Sequence, residues 1–341
     1  MSRFSLVALA LFVVGCNAQP QTITLSGATM GTTYSITALD PSGEVVPEAL
    51  GQAVEATLAT VNGQMSNWDP TSEISRVNSA QTTDPIAISA ELAEVLDVAT
   101  RVHAESGGQF DVTLGPLIDL WGFGERRPDS PIPADDDIQS ALRRVGLSNV
   151  ISLSRAPDTL TKRFEDTEVY LAAIAKGYGV DAVAAAVEGF GLTNYLVEIG
   201  GDLIASGNNP QGEPWRIGVE RPDPATRTVE EVVIVSGLGM ATSGDYRNFF
   251  EDEGVRYSHI IDAQTGRPIT HDTASVTVLA ESAMLADAWA TALLVLGSER
   301  GLDISENLDL AVLFIVRDPM SEGTHFKTIT SSRFATLQSA S

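Results

Sequence analysis

Two side chains one helical turn apart pose the first chemical question. Residues 283–296 are apolar almost throughout, yet they carry Asp287 and Thr291, which at i and i+4 share one helical face. Burying an ionised carboxylate without a partner costs several kcal/mol, so Asp287 requires a cation, a donor network or open water. A hard metal ion satisfies that need; a distant arginine or a wet helix face satisfies it equally well. His259 is the side chain best suited to proton transfer near neutrality, although a histidine among apolar neighbours also serves as a satisfied core residue. His103, His271 and His325 are scattered, the one cysteine is Cys16, and no HExxH or paired-cysteine motif occurs, which argues against zinc.

These residues need elements to position them. Residues 249–261 read as two short strands around the Asp252-Glu253-Gly254 turn, with Val255, Tyr257, His259 and Ile261 alternating onto one side. Residues 239–244 read as a small-residue turn. Upstream, 22–39 reads as a strand pair around a loop at 27–32, and 45–65 and 89–106 as helices, the second with Ser89 as N-cap and Gly107-Gly108 as its stop. Pro70 ends the loop that holds Trp68, an aromatic that serves either packing or the stacking of a flat ring; Ser72-Glu73 opens a further short turn. Residues 124–137 read as a surface excursion. Strands are expected within 150–170 and at 195–199, 215–220, 229–236, 275–280 and 310–316, and a helix from about Leu171 to Phe190. Gly200-Gly201-Asp202 is neither a GxGxxG fingerprint nor a Walker A loop and reads as a turn. Strands and helices follow no regular βαβ order, which favours an α+β fold with mixed or antiparallel sheets, packed helices and a ligand cleft.

Composition bounds the partners. The 341 residues are 43% hydrophobic with 29 Gly and 16 Pro, ordinary for a globular chain, but the net charge is -24. Lysine occurs only at Lys162, Lys176 and Lys327, so a basic surface for nucleic acid is excluded. The amino terminus has a basic start, an apolar run over 4–14 and then Gly15-Cys16, the pattern of a lipoprotein signal. The expected organisation is a signal peptide at 1–15, a lipid-anchored tether at 16–22 with lipid on Cys16, and a single domain at 23–335. The acyl chains would hold an exported, otherwise soluble protein to a membrane.

The words GATMGTTYSI, MSNWDPTSEISRVN, FDVTLGPLIDLWGFG, LAAIAKGYGVDAV, YLVEIGGDLIASG, ATSGDYRNFF, YSHIIDAQTGRPI and SVTVLAESAMLADAWATALLVLG, in this order, resemble the ApbE family of FAD:protein FMN transferases. The resemblance covers nearly the whole chain after Cys16. It implies an ApbE-like (T-fold-like) α+β fold around a flavin-nucleotide cleft, with FAD as substrate and Mg2+ as cofactor. It implies nucleotide contacts from Met30, Trp68, Gln109, Phe110, Asp111, Tyr170, Lys176 and Ile261. Metal ligands would come from the Ala173 carbonyl, Asp287 and Thr291, an oxygen set suited to Mg2+. Tyr170 departs from the family, which has Asp there. The implied reaction moves FMN from FAD to a Thr or Ser hydroxyl of another protein and releases AMP, with Lys176 beside the phosphates and His259, or else Asp245, as base. Acceptors would be subunits of respiratory redox complexes, of the Na+-translocating NADH:quinone reductase or Rnf type, on the periplasmic face of a bacterial membrane, the inner one favoured. An FAD pyrophosphatase, or a lipid-anchored flavin-binding protein without turnover, are the competing readings.

Overall fold

The computed structural model describes residues 20–123, 131–223, 225, 227–320 and 325–339. The expected signal peptide, Cys16 and part of the 124–137 excursion lie outside them.

An eight-stranded sheet organises the chain: β1 (Gln21–Thr29), β2 (Thr32–Asp40), β3 (Asn194–Ile199), β4 (Asp202–Ser206), β5 (Leu238–Gly244), β6 (Thr273–Ala280), β7 (Ala311–Arg317) and β8 (Phe326–Thr330). The strands lie side by side in chain order, and each neighbouring pair is antiparallel. Both faces are covered, and the period-two alternation of a strand sorts its side chains between them. Along β7, Val312, Phe314 and Val316 enter one core while Ala311, Leu313 and Ile315 enter another.

The first core lies under helices α1 (Pro47–Met65), α2 (Ala90–Glu105), α3 (Ala175–Glu188) and α4 (Ala283–Asn307). The second lies under the hairpin of Trp215–Glu220 with Val229–Val235 and the helix Ser332–Ser339. Ser89 caps α2 by accepting from the Leu92 amide, and Ser282 caps α4 by accepting from the Leu285 amide. Helix α4 breaks at Gly297 (φ 77°, ψ 168°), where the apolar run of the sequence ends, and then resumes to Asn307.

Helices α3 and α4 cross so closely that each caps the other. Asp181 of α3 accepts from the amides of Ala283 and Met284, both at 2.8 Å, and Asp287 of α4 accepts from the Gly177 amide at 3.1 Å. Only glycine permits this approach: a Cβ on Gly177 would lie 2.3 Å from the Ala283 carbonyl oxygen.

The same crowding explains a misread segment. Residues 239–244, expected as a turn, form the central strand β5. A Cβ on Gly239 would lie 2.3 Å from the Ala283 amide nitrogen, so this position is glycine because the start of α4 rests on the backbone there. Three smaller differences follow from local chemistry. The loop expected at 27–32 shrinks to Met30-Gly31, whose φ values of 50° and 73° suit a two-residue hairpin turn. Ser72 caps a helix, Glu73–Ser79, rather than a turn. Asp135–Leu142, which begins at the end of the expected excursion and runs past it, is helical with three acidic residues in its first turn, a favourable place for negative charge.

Candidate active site

A cleft of about 740 Å³ opens where the turns at Thr32 and Gly200-Gly201, the segment 109–111, the start of α3, β5 and α4 converge. Its size suits a nucleotide, since small-molecule sites span about 300–1,000 Å³. Ten of the residues implied by the resemblance line it: Gln109, Phe110, Asp111, Tyr170, Ala173, Lys176, His259, Ile261, Asp287 and Thr291.

The charged end is built by the crossing helices. Asp287 is 3% exposed, and Lys176 Nζ stands 3.5 Å from its Oδ2 while also pairing with Asp202. Burial opposes the lysine's charge, yet Asp287 and then Asp202 overcome it and push its pKa up, so the ammonium persists at any physiological pH. Asp202 moves the other way: burial first, then Asp287, push its carboxyl up to about 7. Thr291 Oγ1 lies 3.1 Å from Ser243 Oγ across the groove between α4 and β5.

The backbone contributes as well. In a regular helix the Gly177 N–H would close onto the Ala173 carbonyl four residues back. Here it donates to Asp287 instead, which frees the carbonyl of Ala173, a residue lining the cleft, from that helical bond. Among the described residues no group of three or more His, Cys, Asp or Glu side chains could hold a metal ion. A cation at this end would have to draw on a mixed oxygen set, and the Asp287 carboxylate, the Thr291 hydroxyl and the Ala173 carbonyl are of the hard-oxygen kind that suits Mg2+.

His259 follows the hairpin Phe249–Asp252/Val255–Ser258 rather than ending a strand. Its Nδ1 lies 2.9 Å from the Asn248 carbonyl oxygen, an acceptor only, so Nδ1 carries the proton and Nε2 the lone pair. Burial lowers its pKa, against the hydrogen bond to Asn248 that raises it, which keeps the imidazole neutral and basic near pH 7.

Gln109 is 1% exposed, lines the cleft, and neither its amide oxygen nor its nitrogen has a partner. A buried side-chain amide without partners is costly, and a ligand edge offering one donor and one acceptor would satisfy it. Asp111, in contrast, is spent on the fold: Oδ1 accepts from the Thr113 amide at 2.7 Å and Oδ2 from the Leu147 amide at 2.8 Å. It shapes the loop beside the ligand. Tyr170 donates its hydroxyl to Glu168 at 3.0 Å, and burial, reinforced by Glu168, raises the phenol's pKa.

Three implied residues are not lining the cleft. Met30 is half-buried in its turn, its sulfur 3.2 Å from where a Cβ on Gly179 would stand. Trp68 is 85% exposed, although its neighbour Asn67 is bonded to the cleft segment at Val169 and Leu171. Asp245 is corrected as a base: its carboxylate is buried between Arg256 and Arg317, whose guanidinium groups occupy both oxygens. Asp202, read from the sequence as part of a turn, is the functional residue the sequence reading passed over. Its only signal is an acidic residue after two glycines, both at positive φ, which turn the chain between β3 and β4.

Comparison with known proteins identifies the family. The FAD:protein FMN transferase of Vibrio cholerae is 43% identical over 332 residues, 96% of this chain and 97% of that protein. The one from Haemophilus influenzae is 42% identical over 336 residues, 97% of this chain and 96% of that protein. Among solved structures, the flavin transferase ApbE from Vibrio cholerae matches with a TM-score of 0.83 at 40% identity, covering 93% of this chain and 99% of its own. The apo form of the Pseudomonas stutzeri flavinyl transferase ApbE matches with a TM-score of 0.84 at 36% identity, covering 95% and 99%. With the ApbE family profile matching residues 30–314, which takes in β2 to β6, the first half of β7 and every charged group of the cleft, the chain belongs to the ApbE family.

Proposed function

We propose that this chain is an Mg2+-dependent FAD:protein FMN transferase that joins FMN to a Thr or Ser hydroxyl of an acceptor protein and releases AMP. The observation that carries the reading is the convergence, on one nucleotide-sized cleft, of a buried carboxylate (Asp287), a permanently charged lysine (Lys176) and a neutral histidine (His259).

Ala173, Asp287 and Thr291 would hold the magnesium ion, which when bound supplies positive charge to the pyrophosphate. Lys176 adds a fixed cation beside it, and phosphoryl transfer depends mainly on such alignment and neutralisation. His259 Nε2 accepts the proton of the acceptor hydroxyl. The acceptor oxygen forms its bond to the FMN-side phosphorus, the bridging P–O bond breaks, and AMP departs with the bridging oxygen. The unpartnered amide of Gln109 pairs with a polar edge of the nucleotide.

The acceptors we propose are subunits of respiratory redox complexes of the Na+-translocating NADH:quinone reductase or Rnf type. Lipid on Cys16 would hold the enzyme on the periplasmic face of the inner membrane. The apolar run before this lone cysteine supports that placement, and among the described residues no helix is long and apolar enough to cross a membrane.

The test incubates the purified chain with FAD, Mg2+ and a candidate acceptor domain, then reads flavin fluorescence on a denaturing gel alongside AMP. A fluorescent acceptor band with matching AMP, abolished by EDTA and lost by at least about a hundredfold in Asp287→Ala, is the expected result. AMP and FMN without a band points to hydrolysis, intact bound FAD to a carrier, and unchanged turnover in Asp287→Ala refutes the metal assignment.

A further inference from the structure

Lys162 is 0% exposed, and among the described residues no carboxylate lies within salt-bridge distance of it. All three of its ammonium protons go to carbonyl oxygens instead: Asn78 at 3.0 Å, Ala80 at 2.7 Å and Glu165 at 2.6 Å. Asn78 and Ala80 close the helix Glu73–Ser79, whose C-terminal carbonyls attract a cation. A buried ammonium is an expensive way to tie a helix to a loop, and nothing in the proposed chemistry uses it. What it holds in place is more informative.

The side chain of Asn78 reaches the next segment and pairs with Val169 twice, donating to its carbonyl at 3.0 Å and accepting from its amide at 2.9 Å. Asn67 does the same one step on, donating to the Val169 carbonyl at 2.7 Å and accepting from the Leu171 amide at 2.9 Å. Two side-chain amides therefore stand where a neighbouring strand would be. The clamped backbone leads directly into the cleft. Tyr170 lies between the two clamped residues, and the Leu171 carbonyl accepts from the amides of Ile174 and Ala175 to start α3. Ala173 follows just ahead of the N-cap Ile174, and Lys176 and Gly177 lie in the helix's first turn.

We propose that Asn67 and Asn78, anchored by Lys162, are positioning residues that fix the backbone of 169–173 before substrate arrives, so that the Ala173 carbonyl, Tyr170 and Lys176 already stand in their binding places. This rests on the FAD-dependent reading above. Asn67 adjoins the exposed Trp68, so the clamp also ties that exposed loop to the segment 169–171.

The test uses Asn67→Asp and Asn78→Asp, which keep the oxygen that accepts from the Leu171 or Val169 amide but replace the donor to the Val169 carbonyl with a second oxygen. Phe334→Leu, in the core on the far face of the sheet, serves as a stability control. Without nucleotide, hydrogen exchange at the Val169 and Leu171 amides is expected to speed up by about tenfold in each Asp variant and to stay unchanged in the control, as fits a lost hydrogen bond to a buried carbonyl. FAD affinity, read from flavin fluorescence, and KM for FAD should weaken by about tenfold, with kcat kept within about threefold because saturating FAD rebuilds the segment. Lys162→Met should shift exchange and affinity the same way. Unchanged exchange in both Asp variants overturns the clamp. Faster exchange with FAD affinity within about twofold of wild type overturns the positioning role. A wild-type chain that binds no FAD overturns the transferase reading, and with it the role assigned here toward FAD, while the exchange data judge the clamp separately.

Discussion

Gly177→Ala tests the crossing of α3 and α4 against an internal standard. In an unobstructed helix interior, alanine is better than glycine by about 1 kcal/mol. Gly63 in α1 is such a place, since a Cβ there would meet nothing within 4 Å. At Gly177 the Cβ would lie 2.3 Å from the Ala283 oxygen and 2.6 Å from the Met284 Cα, backbone atoms that cannot rotate aside. Ordinary contact begins about 1 Å further out, and overpacking of that kind costs about 1–3 kcal/mol. Separating the helices also breaks the bond from the Gly177 amide to Asp287, a charge-assisted hydrogen bond of about 1.5–3 kcal/mol. Against the gain of about 1 kcal/mol in propensity, the net loss is about 1.5–5 kcal/mol. With about 2.1 cal/mol/K of unfolding entropy per residue over 341 residues, each kcal/mol moves Tm by about 1.4 °C. Calorimetry should therefore show Gly63→Ala rising by about 1 °C and Gly177→Ala falling by about 2–7 °C, with FAD turnover reduced only in the latter. A Gly177→Ala protein that melts at or above the wild-type temperature would refute the account of the crossing.

The remaining predictions concern protons. If His259 is the base, kcat/KM for flavin transfer falls as pH drops through a value below 6.5, the ordinary histidine range, and is flat above it; His259→Asn should remove that acid limb, and a limb that survives the substitution would exclude His259. Burial pushes the Asp181 carboxyl up from 3.8 to about 6, so the folded protein binds its proton more tightly than the unfolded chain does. The associated stability is fully present below about pH 4 and is lost as pH rises toward about 6, an amount on the order of 2–3 kcal/mol. Urea unfolding across that window should show a shallower decline in Asp181→Asn than in wild type, and identical slopes would rule out Asp181 as its source.

How much of this was legible in the sequence depends on what each residue had to signal. Periodicity gave away α2 and the apolar half of α4, because one buried face imposes a repeat that survives in any single sequence. Strand β5 gave no such signal. Gly239 is small because of a helix that arrives some forty positions later in the chain, and nothing local records that contact. Asp287 announced itself as a carboxylate in an apolar run, whereas Asp202, its partner through Lys176, sat in an ordinary-looking turn. Asp245 shows the opposite failure: an acidic residue in a motif looked chemical, but Arg256 and Arg317, brought in by a hairpin and by the end of β7, claim its carboxylate. Lys162 could not have been recognised at all, since its partners are backbone carbonyls.

The chain-order layout of the sheet has a consequence for assembly. Because each strand pairs with the one before it in sequence, the sheet can grow by adding one strand at a time to an edge already in place, and loop-closure costs stay modest for most pairings. The cleft obeys the opposite rule. Thr32 and Thr291 face the same space from near the two ends of the family region, so no partly made chain contains a working half of it. Nucleotide capture therefore belongs to the last step of maturation, and a chain stopped before α4 would have most of its sheet and none of its chemistry.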